Sequence, residues 1–364
     1  MKTVFGALSA ALLIAGPAGA AANVHSALGG IILGYAIDPN GTMGVLTEYV
    51  PGGGGFNTVA VETFDQTTGA IVKTVKTIEH TKNDYVVLGA TGDGTALVEY
   101  EQVSDLFVDK RSYKTMIPLE KGKLNGKWTP PKMGVNDIVN GFDSPLGSSQ
   151  AAIMAFRNGG DDHTYVFTTD LAANTSSPHF KIKDPLYDFN DSPVMTYDPN
   201  QNLVIVAAST GCPSCVGHYA FIHMDTGQVD HSNVPGFGLV NGIAVDTADT
   251  IVCDTTEIDF SIGFHNYTTH EGFKVVLKGA QSQANSGTSV AYDPVAKLFF
   301  IGQPISSTGP NSSIQIYDPA GNWVKSIDNL HLPASSNPIE INPSTRTGFV
   351  ISSQDESELQ GFSY

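Results

Sequence analysis

The sequence predicts an all-β fold, a seven-bladed β-propeller of four-stranded blades. Three observations predict it: a strand, Asp-Pro turn, strand segment that recurs along the chain, a period near fifty residues between its copies, and a last copy one strand short of a blade.

The clearest copies are Tyr35-Ala36-Ile37-Asp38-Pro39 before Met43 to Val50, Met195-Thr196-Tyr197-Asp198-Pro199 before Leu203 to Ala208, and Val290-Ala291-Tyr292-Asp293-Pro294 before Leu298 to Gly302. Ile243-Ala244-Val245-Asp246 before Thr250 to Asp254 and Ile339-Glu340-Ile341-Asn342-Pro343 before Gly348 to Ser352 follow the same plan, with weaker copies at Val87 to Asp93 and Ile138 to Asp143. Taking Asp38, Gly92, Asp143, Asp198, Asp246, Asp293 and Asn342 as the turn positions, the spacings are 54, 51, 55, 48, 47 and 49, the length of a four-stranded blade. Two further strands fit between anchors, as in Thr58 to Phe64 with Ile71 to Ile78, separated by turn formers such as Thr68-Gly69. A blade has two faces to bury and cannot bury them alone, so blades stack side by side. After Gly348 to Ser353 only Leu359 to Tyr364 remains, and the segment from about Val24 to Leu33 is expected to supply the missing strand, closing the ring by pairing the two chain ends.

The bulk composition agrees. Charged residues are 15% of the 364, while there are 38 glycines and 20 prolines, the mixture of short strands joined by many turns. The formal charge of −17 repels phosphate backbones and anionic membranes, which excludes nucleic acid as a partner. Met1-Lys2, the apolar run Val4 to Ala15 and Ala18-Gly19-Ala20 read as a secretory signal peptide over residues 1–20, leaving 21–364 as one propeller domain. The apolar run is shorter than the roughly 20 residues a bilayer demands, so no membrane insertion is expected. Secretion, or the periplasm for a bacterial source, is the expected location.

Three cysteines are too few for a disulfide-built scaffold. Cys212-Pro213-Ser214-Cys215 reads as a zinc half-site, a redox motif or a local disulfide, and outside the cytosol the disulfide is preferred. Cys253 alternates onto an apolar face and reads as a buried free thiol. Asn40, Asn174, Asn266 and Asn311 each begin an Asn-x-Ser/Thr acceptor for N-glycosylation in a eukaryotic host.

Asn57-Thr58-Val59-Ala60-Val61 with Thr68-Gly69-Ala70-Ile71-Val72-Lys73 resembles the repeat of YVTN-type propellers, and Asn241-Gly242-Ile243-Ala244-Val245-Asp246 with Ile314-Gln315-Ile316-Tyr317-Asp318 resembles NHL-type repeats. The likeness covers most of the chain and implies the fold; it does not imply an activity.

Function is expected at the end of the ring away from the Asp-Pro turns, where the connections are long and unequal, among them Tyr49 to Asn57, Ser209 to His218 and Thr255 to Gly272. Just before each innermost strand an amide or carboxylate recurs: Asn83, Asn136-Asp137, Asn190-Asp191, Asn241, Asn285 and Asn337. In a ring these converge on the channel mouth as substrate-binding groups, joined by the loop aromatics Tyr49 and Phe56. Asn136, Asp137, Asn190, Asp191 and Asn241 offer the oxygen-rich shell that Ca²⁺ takes, so the cofactor is Ca²⁺ or none. Asn136-Asp137-Ile138 and Asn241-Gly242-Ile243 are similar to segments that carry metal-binding Asn or Asp in paraoxonase and gluconolactonase propellers, which implies lactone or ester hydrolysis. Those families have six blades, and their glutamate near the chain start has no counterpart here. The competing reading is that these Asn and Asp cap turns. His163, His265 and His270 are the candidates for a general base. Gly52 to Gly55 lacks the Lys-Ser/Thr of a phosphate cradle and reads as a lid. No nucleophile motif is present. Two enzymatic outcomes are expected for a small organic molecule in the funnel: lactonase or esterase-like hydrolysis, and a metal-free cyclisation or cycloaddition driven by orientation and polarisation. The alternative is a non-catalytic extracellular protein that binds a glycan, peptide or protein.

Overall fold

The computed structural model describes residues 21–102, 110–116, 123–128, 137–157, 163–182, 194–209, 217–235, 239–256, 260–280, 287–304, 312–332 and 338–364. It is all-β, a β-propeller arrangement of four-stranded antiparallel blades. Six blades are contiguous in sequence, spanning 31–81, 84–128, 137–181, 194–233, 240–276 and 289–330. Their inner strands are Ile31–Ile37, Asp84–Ala90, Asp137–Asp143, Val194–Asp198, Val240–Asp246 and Ser289–Asp293. In the third blade the outermost position is shared by two short strands, Thr175–Ser176 and Phe180–Lys181, both paired with His163–Asp170.

The remaining sheet differs in kind from the six repeats. Glu340–Asn342, Thr347–Ile351 and Glu358–Ser363 form a C-terminal meander, and its fourth strand is Val24–His25, paired through Val24 with Leu359 and His25 with Glu358. The chain therefore supplies six self-contained repeats and one composite sheet. The closing segment is also shorter than expected from Val24 to Leu33, because Ile31–Ile37 is already the inner strand of the first blade.

The second strand of the fourth blade, Leu203–Ser209, shows why these sequences make blades. Leu203, Ile205 and Ala207 pack with Val240, Ile243 and Val245 of the fifth blade, whereas Val204, Val206 and Ala208 pack with Ala152, Met154 and Val166 of the third. Side chains alternate at period two, so a run that is apolar at every position has two faces to cover. Each of the larger side chains contributes about 1.5–3 kcal/mol on burial, which outweighs the ordering cost only when a neighbour stands on both sides.

The loop that joins Val24–His25 to the first blade is held by buried acids. The Glu48 carboxylate accepts from the amides of Leu28 and Gly30 at 3.1 Å each, and Glu62 accepts from Ala27 at 3.0 Å and from the Thr74 hydroxyl at 3.0 Å. Both glutamates are fully buried. Burial is the main cause holding Glu62 above the usual carboxylate range, with Glu48 beside it adding to the effect. Gly30 is required here, because a Cβ would lie 2.6 Å from the Tyr49 carbonyl oxygen.

The expected loop from Thr255 to Gly272 is overturned. Ser261–Asn266 is the third strand of the fifth blade, paired with Ile251–Thr256 and Glu271–Val276. Gly263 and His265 hide its alternation, yet Ile262 and Phe264 point into the core.

Candidate functional site: the channel between the inner strands

The turn that ends each inner strand is built around one side chain. Asp198 Oδ1 accepts from the Asn200 amide, Asp246 Oδ1 from Ala248, Asp293 Oδ1 from Val295 and Ala296, and Asn342 Oδ1 from Ser344 and Thr345. An Asx turn of this kind satisfies amides that the strand has released, which is the physical reason Asp and Asn recur at this register.

The same turns link one blade to the next. Asp143 Oδ2 accepts from Thr196 Oγ1 and the Tyr197 amide at 2.7 Å each, Asp198 Oδ2 accepts from Tyr267 Oη at 2.6 Å, and Asp293 Oδ2 accepts from Tyr364 Oη at 2.9 Å. Asn342 Nδ2 donates to Gly41 O at 2.8 Å and to Gln66 Oε1 at 2.9 Å, joining the composite sheet to the first blade. Asn40 Nδ2 donates to Gly92 O at 2.7 Å, the Gly92 amide donates to Ser144 Oγ at 3.2 Å, and Lys297 Nζ pairs with Asp249 Oδ2 at 2.8 Å. Every junction between sheets neighbouring in sequence, and the junction of last with first, carries such a link.

Inside these turns lies a cavity of about 770 Å³, lined by residues from the six inner strands and from Glu340–Asn342. Ile37, Leu88, Phe142, Met195, Ile243 and Ile339 represent the apolar part of a mixed wall that also carries Asn140, Asn200, Asn241, Thr247, Thr288 and Ser289, and Pro39, Pro145, Pro199, Pro294 and Pro343 mark the end at the turns. Its size falls within the roughly 300–1,000 Å³ typical of small-molecule sites. Among the described lining residues the carboxyl-bearing ones are Asp143 and Glu340, and none is Lys, Arg, His or Cys.

These two acids differ. Asp143 is occupied: it accepts from Thr196, Tyr197 and Ser144, while burial holds it above the usual carboxylate range against those bonds. Glu340 is half-buried in the wall, and its carboxyl has no hydrogen bond or ion pair among the described residues. Burial first, and the Asp143 charge second, push Glu340 up to about 8. At pH 7 it is a neutral carboxyl, a donor in the wall of the cavity. Nearby, Tyr35 donates to the carbonyls of Pro338 and Phe349 at 2.7 and 2.6 Å, and burial followed by Glu340 raises its phenol well above the usual value.

The residues expected from sequence are spread widely. Asn241 does line the cavity, with Nδ2 donating to Gly287 O at 3.0 Å across to the sixth blade. Asn83 lies off the cavity and donates to Tyr100 Oη at 2.8 Å. Tyr49 packs half-buried against the core of the first two blades, and Phe56 is exposed with the Lys82 ammonium 5.8 Å above its ring. His265 is buried between the fourth and fifth blades, against Tyr219 and Phe221 at 5.4 and 5.9 Å, and burial lowers it to about 4. His270 sits exposed in the turn after Asn266, at a backbone φ of 60°. Neither lines the channel. Asn136, Asn190, Asp191, Asn285, Asn337, Cys212, Cys215 and Asn311 lie outside the described residues, as do the side chains of Asp137 and His163. Cys253 is a buried free thiol. Among the described residues no three His, Cys, Asp or Glu side chains converge as metal ligands.

Glu340 was missed, although the repeat carries its signal. Two positions before each turn residue stand Ala36, Ala90, Gly141, Thr196, Ala244, Ala291 and Glu340. Ala90, Gly141, Thr196, Ala244 and Ala291 leave room in the cavity at that register, Ala36 packs in the core of the first two blades, and Glu340 carries a carboxyl into the wall. The chain matches no known protein-family model, and no curated protein matches it.

Proposed function

We propose that this chain is a secreted, seven-bladed propeller, with the composite sheet as its seventh blade and a closed ring. In this reading the central channel binds a small organic molecule and acts on it. The unbroken circuit of side-chain links at the turns supports closure, and the repeats are of the YVTN or NHL type. The observation that carries the functional reading is Glu340, a neutral carboxyl without a hydrogen-bond partner among the described residues, in the wall of a cavity of about 770 Å³. Such a group is an acid at pH 7. It lowers a barrier by donating a hydrogen bond or a proton to a substrate oxygen in a site of low polarity. This supports acid-assisted cyclisation or cycloaddition, in which the apolar part of the wall folds the substrate; of the described histidine candidates, His265 and His270 lie off the cavity. Among the described residues Asn241 is the expected amide in the wall, and it orients the substrate beside Glu340.

A second reading, a non-catalytic binding protein, has one observation in its favour. Phe273 and Val276 on the outer strand of the fifth blade, and Trp323 and Val324 on that of the sixth, are exposed at 45, 68, 40 and 45%. One experiment separates the two. Asn140 is an exposed bulge residue on the third inner strand, so Asn140→Trp plugs the channel. Against a panel of lactones, esters and polyene cyclisation precursors, the plug abolishes turnover and Glu340→Leu lowers it by about 10²-fold or more. Turnover that survives both substitutions removes the channel reading. Loss of partner capture on Trp323→Ala, with the channel variants unaffected, establishes the binder.

A further inference from the structure

The chemistry of the wall narrows what the channel accepts. This step rests on the channel reading above. An anionic ligand meets two carboxyl-bearing residues, no cationic side chain among the described lining residues, and a chain of formal charge −17. What remains complementary is a neutral molecule with an acceptor oxygen at the height of Glu340. We infer that the channel selects neutral molecules carrying a carbonyl or ether oxygen, which receives its hydrogen bond from Glu340, and that it rejects carboxylates and phosphates.

The surroundings of Glu340 make the donor role specific. On the inner strand of the first blade the facing titratable groups are Tyr35, engaged with two backbone carbonyls, and Asp38, engaged with the Asn40 amide. On that of the sixth they are Tyr292, raised by burial and then by Asp246, and Asp293, engaged with Val295, Ala296 and Tyr364. Asp143 on the third is engaged with three donors. The phenols stay protonated, and the Tyr292 hydroxyl, though without a hydrogen-bond partner among the described residues, is itself fully buried. Glu340 is thus the titratable group left at the cavity surface to meet a ligand, and it donates only while protonated. Binding of a carbonyl ligand therefore weakens as pH rises through about 8.

The test uses a neutral naphthyl ketone, 6-propionyl-2-dimethylaminonaphthalene, whose emission reports both burial and hydrogen-bond donation, with 2-naphthoate as the anionic comparator. Fluorescence titration of the full chain is expected to show saturable ketone binding at pH 6.5, at least about tenfold weaker at pH 9.5, with naphthoate at least about tenfold weaker than the ketone at both. Glu340→Gln keeps an N–H donor, so it retains binding and loses the pH dependence. Glu340→Leu loses about tenfold at pH 6.5. Naphthoate binding as tightly as the ketone, or pH-independent binding by the native chain, overturns the inference. Asn140→Trp separates the two levels. If the plug abolishes ketone binding while Glu340→Leu leaves it intact, only the ligand class is wrong; if ketone binding survives the plug, the channel reading itself has failed.

Discussion

Asp143, at the turn end of the third inner strand, and Glu340, in the wall formed by the composite sheet, bring the same functional group to one cavity under opposite conditions. Asp143 receives three hydrogen bonds, two of them from the next blade. Glu340 receives none among the described residues, and burial pushes it up to about 8. Burial alone does not tell a structural acid from a reactive one, since it raises both. The distinction lies in whether the donors a carboxylate wants are built into the neighbouring strand, because a group already bonded has nothing left to offer a ligand.

The largest expected effect breaks the occupied side of this contrast. Asp143→Ala leaves the Thr196 hydroxyl and the Tyr197 amide without their acceptor at the junction of two blades. Each unsatisfied buried group costs about 1–3 kcal/mol, so a loss of roughly 3 kcal/mol is expected from urea unfolding at pH 7. Asp143→Asn, which keeps an acceptor oxygen, costs less than half of that. An alanine variant as stable as the native chain would show that the junction is held by apolar packing alone.

Glu340→Gln probes the unoccupied side, and its sign depends on pH. A carboxyl raised from the ordinary 4.5 to about 8 favours the folded state fully below about pH 4.5, and that favour is lost as pH rises through about 8. Glutamine cannot ionise. The variant should match the native chain at pH 4.5 and exceed it at pH 9 by about 2 kcal/mol; a tenfold change in proton affinity corresponds to about 1.4 kcal/mol, and solvent reaching the cavity reduces the full value. Parallel unfolding curves at the two pH values measure this difference directly. Equal gaps at both would place Glu340 outside any apolar environment.

The same contrast explains what the sequence disclosed. The period of Asp and Asn was legible because most inner strands cap the turn that follows with one residue at one register, although Gly92 stands there in the second blade and the ties between neighbours also use Asn40, Ser144 and Lys297. Val204 and Ile205 were legible as core because both faces of an inner blade are covered. Glu340 was not, because a period shows only what recurs, and this unbonded carboxyl stands where the other copies have residues such as Ala36, Ala244 and Ala291. His265 misled for the opposite reason. A histidine followed by Asn266 and two residues from Gly263 reads as loop and as chemistry, whereas Phe221, Tyr219 and the flanking strands bury the ring as core. Its lowered proton affinity is the mark of that burial.

The smallest effect tests whether being tied or free also governs modification. Three of the four glycosylation acceptors lie in described residues, and they differ in what their amide nitrogens do. Asn40 Nδ2 donates to Gly92 O at 2.7 Å, and Asn266 Nδ2 donates to Asp249 O and Thr250 Oγ1 at 3.1 and 3.0 Å, while Asn266 Oδ1 accepts from Thr268 and Thr269. Asn174 is exposed in a turn at a φ of 53°, and its side chain makes no hydrogen bond among the described residues. Transfer of a glycan needs that nitrogen free and exposed, so once the chain has folded Asn174 stays available and the other two are withdrawn. Expression through a eukaryotic secretory pathway followed by peptide mapping is expected to find Asn174 occupied in most molecules, and Asn40 and Asn266 in few. Asn174→Gln should remove that glycan at a cost of about 1 kcal/mol or less, which comes from placing glutamine at a left-handed backbone position that asparagine tolerates. High occupancy at Asn266 would mean that the sugar arrives before the turn between the third and fourth strands of the fifth blade has closed, and that the tie seen in the folded protein forms too late to protect it.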